Sequence, residues 1–130
     1  MSLIYFIEQH AEYAPVLRPV FRLIDDGEVE AHASVISLIE VLVRPFALGQ
    51  TELASEYRDL LLYSRNLVLH PVDAEVATLS ATIRAQHGLK VPDALVAATG
   101  IANECDCLVT NDPAFNRLNG IRVLLLSDFE

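Results

Sequence analysis

The stretch CLVTNDPAF, residues 107–115, decides how the rest of the chain is organised. Residues 107–110 are four uncharged, mostly apolar residues, the length and character of a strand buried on both faces. Asn111-Asp112-Pro113 then turns the chain. Asp112 therefore stands directly beyond a strand end, where open parallel sheets carry their functional groups. Upstream, a helix is expected from Pro92, suited to the first helical position, to about Asn103. Downstream, residues 111–118 read as a short helix or turn and 121–126 as a last strand. Further out, SVISLIEVLV (residues 34–43) predicts an apolar helix capped by Ser34 and ended or kinked at Arg44-Pro45. A strand over 28–33 precedes it. A helix over 48–64, a strand over 66–70 and a helix from Asp73 to the Gly88 stop follow it.

At the front, residues 3–8 read as the start of a helix. A second stretch, 14–25, carries an apolar stripe of Val16, Leu17, Val20, Phe21 and Ile24, stopped by Asp25-Asp26-Gly27. Short apolar strands alternating with helices predict an α/β domain, a parallel sheet covered by helices. Only about four strands are legible, and all 130 residues belong to one domain.

A hydrophobic content of 52% excludes extended disorder. The formal charge of -9, from 18 acidic and 9 basic residues, argues against a broad nucleic-acid-binding face. A nuclease stays open, because bound metal ions offset negative charge locally, and a basic protein partner also suits that balance. Cys105 and Cys107 are too few for a structural zinc site and read as buried free thiols of a reducing compartment. With no basic leader and no apolar run of membrane-span length, the expectation is a soluble cytoplasmic protein.

Three carboxylates sit in otherwise apolar segments. Glu40 is surrounded by Leu38, Ile39, Val41 and Leu42, and burying it without a partner would cost several kcal/mol in rough terms. A metal, a basic partner or an opening at that point answers the cost; a solvated glutamate is the plainer reading. Asp93 opens a helix, where a carboxylate is favoured by ~0.3–1 kcal/mol at the positive end of the dipole, so capping explains it nearly as well as catalysis. The small residues Ala94, Ala97, Ala98, Gly100 and Ala102 let that helix approach a sheet closely. Asp112 is either a ligand or a turn former, and Thr110 and Asn111 are placed to orient it. Converging at the strand ends, Glu40, Asp93 and Asp112 would suit Mg²⁺ or Mn²⁺, which prefer oxygen donors. Lys90, with Arg44 and Arg84, is a candidate phosphate contact. Asp73 reads as a helix cap and Asp106 as surface, while His10, His32, His70 and His87 are scattered and read as surface or packing residues.

These segments resemble the PIN domain, most closely the small toxin ribonucleases of bacterial toxin–antitoxin pairs, the VapC type. LIYFIE, SVISLIEVLVRP, LKVPDALVAAT and CDCLVTNDPAF carry the likeness, in the family's order and over essentially the whole chain. The resemblance implies a three-layer α/β/α fold and metal-dependent RNA hydrolysis. Glu40, Asp93 and Asp112 would act as catalytic and metal-binding acids, with Thr110, Asn111 and Lys90 toward substrate. It also implies a cognate antitoxin and homodimer formation. The family's opening strand ends in Asp-Thr-Asn or Asp-Ser-Ser ahead of a Leu-Ile-Tyr helix. Leu3-Ile4-Tyr5 matches that helix, so the N-terminal strand and the first acidic ligand are expected to be missing, through a shortened start or in a naturally impaired relative. A missing central strand would expose ladder edges unless another segment fills the gap. The alternatives are a catalytically inactive PIN-like binding module and a receiver-type domain. The latter expects an acidic pair after the first strand and a lysine after a late one, and neither is present.

Overall fold

The computed structural model describes residues 2–5, 22–110 and 112–125. Among the described residues five short strands form one sheet: β1 (Ser2–Tyr5), β2 (Glu30–Ser34), β3 (Leu67–His70), β4 (Cys107–Thr110) and β5 (Arg122–Leu125). Between them run helices α1 (Val35–Ala47), α2 (Thr51–Tyr63), α3 (Ala74–His87) and α4 (Val91–Ala102), with a 3-10 helix at Pro113–Arg117. Every pairing is parallel and the strand order is β3-β2-β1-β4-β5. Residues 22–25 are helical and close into the turn at Gly27. The rest of the helix expected over 14–25, and residues 6–8, lie outside the described residues.

The expected missing N-terminal strand is corrected by the structure, as is the helix expected to start at Leu3. Ser2–Tyr5 is the central strand, with Ile4 opposite His32 on β2 and Leu108 on β4. Four residues, three of them hydrophobic, carry no periodicity that separates a strand from a helix start, so tertiary context decides. Left unfilled, the gap between β2 and β4 would expose two ladder edges in the middle of the sheet. Ser2–Tyr5 satisfies both edges and buries Ile4 completely, a side chain worth ~1.5–3 kcal/mol when removed from water.

Local chemistry fixes the helices. The Ser34 hydroxyl accepts from the Ile36 amide at 3.1 Å and starts α1. Arg44-Pro45 does not end that helix, which continues to Ala47 with Pro45 buried inside it. The amides beyond the proline keep their acceptors, Leu48 donating to the Arg44 carbonyl and Gln50 to that of Pro45. Asp73 caps α3 by accepting from the Val76 amide at 2.9 Å, and Gly88, at φ 69°, closes it in the left-handed conformation that favours glycine. α4 begins one residue before Pro92.

The layers follow from strand alternation. Ile4 and Leu108 pack with Ala94, Ala97 and Ala98 of α4 and with Val76 and Ile83 of α3. Ala33, Leu67 and Leu69 point to the other face, against Leu38, Val41 and Leu42 of α1 and Tyr57 and Leu61 of α2. α4 lies close against β1. A Cβ placed on Gly100 would lie 2.5 Å from Ile4 Cγ2, so this approach needs glycine. Among the described residues no helix is long and apolar enough to cross a membrane.

Candidate functional site

Strand order places the switch in chain direction at β1: β2 and β3 are laid down on one side of it, β4 and β5 on the other. In open α/β sheets the crevice beyond the carboxyl ends at such a point is where ligands bind. Three segments deliver side chains to that edge. β4 ends at Thr110 and leads to Asp112. α4 runs back antiparallel to β4, so its N-terminus and Asp93 lie at the same edge. α1 leaves the end of β2 through Ser34 and carries Glu40 in its second turn.

The Thr110 hydroxyl is buried and accepts from the Asp112 amide at 3.1 Å, fixing the backbone on which Asp112 sits. Asp112 Oδ1 in turn accepts from the Ala114 amide at 2.9 Å and starts the 3-10 helix. The turn-forming role is therefore real, and it aims the carboxylate rather than replacing any further role. Asp93, the third residue of α4, is partly buried. Burial pushes its carboxyl above the usual carboxylate range, the negative charge of Asp112 adds to that, and Glu40 adds a further push. Lys90, the exposed N-cap residue of α4, pulls the other way. Asp112 and Glu40 thus both lie within electrostatic reach of Asp93. Asn111 lies outside the described residues.

Repelling carboxylates at a half-buried edge are the donor set a hard divalent cation takes, and this fits the oxygen-only chemistry of Mg²⁺ or Mn²⁺. As they stand, however, no three His, Cys, Asp or Glu side chains among the described residues form a group that could hold a metal ion. β1 brings no acid, since Ser2–Tyr5 carry none.

Cys105 and Cys107 are buried and free, with burial the main reason the Cys105 thiol is pushed up to about 12. His32 and His70, scattered in the sequence and expected as surface or packing residues, are brought into hydrogen-bonding contact by the β2–β3 register. Their separation of 38 residues hides the pair from any local pattern.

The fold and this edge define a class: three-layer α/β domains with acids gathered beyond the carboxyl ends of a parallel sheet. The sequence pattern of the PIN domain family matches residues 3–121, and the chain belongs to that family. Solved structures agree on the fold. A VapBC2 structure from Rickettsia felis, bound to a DNA fragment from its promoter, superposes with a TM-score of 0.73 at 19% identity, covering 96% of this chain and 98% of that one. A DNA-bound VapBC from Salmonella typhimurium gives 0.67 at 17% identity, covering 97% and 99%. VapBC-5 of Mycobacterium tuberculosis, a member of a toxin-antitoxin family, gives 0.61 at 20%, covering 95% and 96%. No curated protein matches the chain.

Proposed function

We propose that this PIN domain is a VapC-type endoribonuclease, the cytoplasmic toxin of a toxin–antitoxin pair, with Glu40, Asp93 and Asp112 holding Mg²⁺ or Mn²⁺. The observation that carries this reading is the raised Asp93 carboxyl, pushed up by burial and then by Asp112 and Glu40. Groups that repel one another at a strand-end crevice are stabilised by a shared cation. Such an ion, when bound, supplies charge stabilisation at the phosphodiester and makes water a better nucleophile. The protein's own contributions are positional. Thr110 holds the Asp112 backbone, α4 sets Asp93 at its positive end, and Lys90 offers an ammonium to the phosphate on the solvent side.

With no acid from β1, the charge at this edge rests, among the described residues, on three carboxylates, and weak metal affinity and slow turnover are expected. A protein partner is supported by Ile39, Val43 and Phe46, exposed at helical spacing on α1, where an antitoxin or a second copy would cover apolar surface.

The test is RNA cleavage by the chain with Mn²⁺ and with EDTA, alongside thermal shift with Mn²⁺. Cleavage and stabilisation that both need Asp93 and Glu40 support the assignment. Cleavage that survives Glu40→Gln places the chemistry elsewhere. The second reading, a PIN-like binding module without catalysis, is favoured by the lack of a ready three-residue metal group among the described residues. It predicts no cleavage at any Mn²⁺ concentration and retained antitoxin binding.

A further inference from the structure

Two histidines that the carboxylate edge does not use lie side by side on β2 and β3. Ser34 pairs with His70 and His32 with Val68, so His32 and His70 are diagonal neighbours on one face of the sheet. His32 Nδ1 and His70 Nε2 are 2.7 Å apart. The ring planes differ by 8° and the centroids are 5.0 Å apart. With so short a nitrogen–nitrogen gap, that separation means the rings meet edge to edge in nearly one plane, the arrangement of an N–H···N hydrogen bond and not of a face-to-face stack. On its far side, His32 Nε2 is 3.0 Å from Glu30 Oε1. His32 is 7% exposed, so its partners, not water, satisfy it.

One proton between the facing nitrogens makes the bond. A second proton in that gap makes both facing nitrogens donors, and once both rings are protonated two positive charges point at each other. We propose that the His32–His70 pair is an acid-sensitive clasp, which pins edge strand β3 to β2 while one proton is shared and releases it when both rings are protonated.

The charged surroundings favour this behaviour. On the histidine face β1 brings no charged side chain, and α4 carries only Asp93, at its far N-terminal end. Among the described residues Glu30 is the acid in contact with the pair, through His32. Glu40 and Arg44 of α1, and Glu52, Glu56, Arg58 and Asp59 of α2, belong to helices packed on the opposite face. His70 is held below its ordinary value of 6.5 by burial and then by His32, with Glu30 partly offsetting. The folded state therefore takes up the second proton less readily than the unfolded chain. The clasp's contribution is complete above 6.5 and is lost progressively as pH falls below it.

This inference is independent of the ribonuclease reading. Its test is amide hydrogen exchange of the full chain at about pH 7.5 and about pH 5.5, each rate normalised to the chemical exchange of an unstructured chain. Relative to β4 amides, those of β3 are expected to lose about tenfold protection at the lower pH, equivalent to ~1.4 kcal/mol. In His70→Gln, which cannot take a second proton, the β3-to-β4 ratio stays level across the same range. Equal acid sensitivity in wild type and His70→Gln overturns the clasp. Nitrogen-15 NMR of the wild-type imidazoles gives a second readout that needs no variant. Both rings doubly protonated near pH 5.5 together with β3 loosening supports the proposal, and β3 loosening while one ring stays neutral refutes it.

Discussion

At its C-terminal end α4 lies so near β1 that Gly100 has no room for a methyl group, whereas about two turns earlier burial, and then the charges of Asp112 and Glu40, push the proton affinity of Asp93 up. The first end is dry and apolar. Ile4 is fully buried there, and the chain folds back so that the Cys105 amide donates to the Gly100 carbonyl at 2.9 Å. The second end is half-open and anionic. The contrast shows how one rigid element serves two demands: tight contact at one end fixes the helix, and the fixed helix holds a carboxylate against its neighbours' repulsion at the other.

The sharpest way to break the comparison is at the anionic end. Asp93→Asn and Glu40→Gln should each lower Mn²⁺-dependent RNA cleavage by about 10²-fold or more, the scale of removing one group that stabilises a transition state. Circular dichroism should show the fold intact. At the dry end, Gly100→Ala should cost about 1–2 kcal/mol in urea unfolding, since overpacking against Ile4 outweighs the gain in helix propensity. Combining it with Ile4→Ala, which removes the clashing Cγ2, should give a loss smaller than the sum of the two, with a coupling of about 1 kcal/mol.

The third prediction reverses the usual expectation for a mutated site. The Asp93 carboxyl is raised, so its contribution to stability is greatest below the unfolded value of 3.8 and is lost as pH rises through the folded value. Metal-free Asp93→Asn should therefore be more stable than wild type near neutral pH, by up to about 0.5 kcal/mol after solvent screening, and the gain should vanish in acid. Urea midpoints at the two pH values, in EDTA, measure it. The smallest effect is at Cys105. With its thiol at about 12, alkylation of the folded protein near pH 8 should run at least about tenfold slower than that of a free cysteine.

Much of this architecture could be read directly from residues. Asp73 and Gly88 announce the bounds of α3, and both act as their chemistry dictates. The run of small residues after Asp93 announced close approach to a sheet, which Gly100 and Ile4 realise. Ser2–Tyr5 could not be assigned locally, because only the gap between β2 and β4 makes those residues a strand. Arg44-Pro45 reads locally as a helix end or kink, while burial of Pro45 and the amides of Leu48 and Gln50, donating back to the Arg44 and Pro45 carbonyls, keep the turn closed. At the carboxylate edge, residue type and position beyond strands were legible. The mutual repulsion at Asp93 was not, because it depends on three segments meeting.

The central position of β1 also bears on how the molecule is made. Ile4 pairs with Leu108, about a hundred residues away along the chain, and closing so long a loop is entropically slow to nucleate. β2 and β3 can assemble against β1 early, but the free ladder of β1 stays open until β4 arrives. Folding should therefore pass through a half-sheet whose sticky edge becomes the middle of the finished sheet, and any delay in delivering β4 leaves that edge available to other chains.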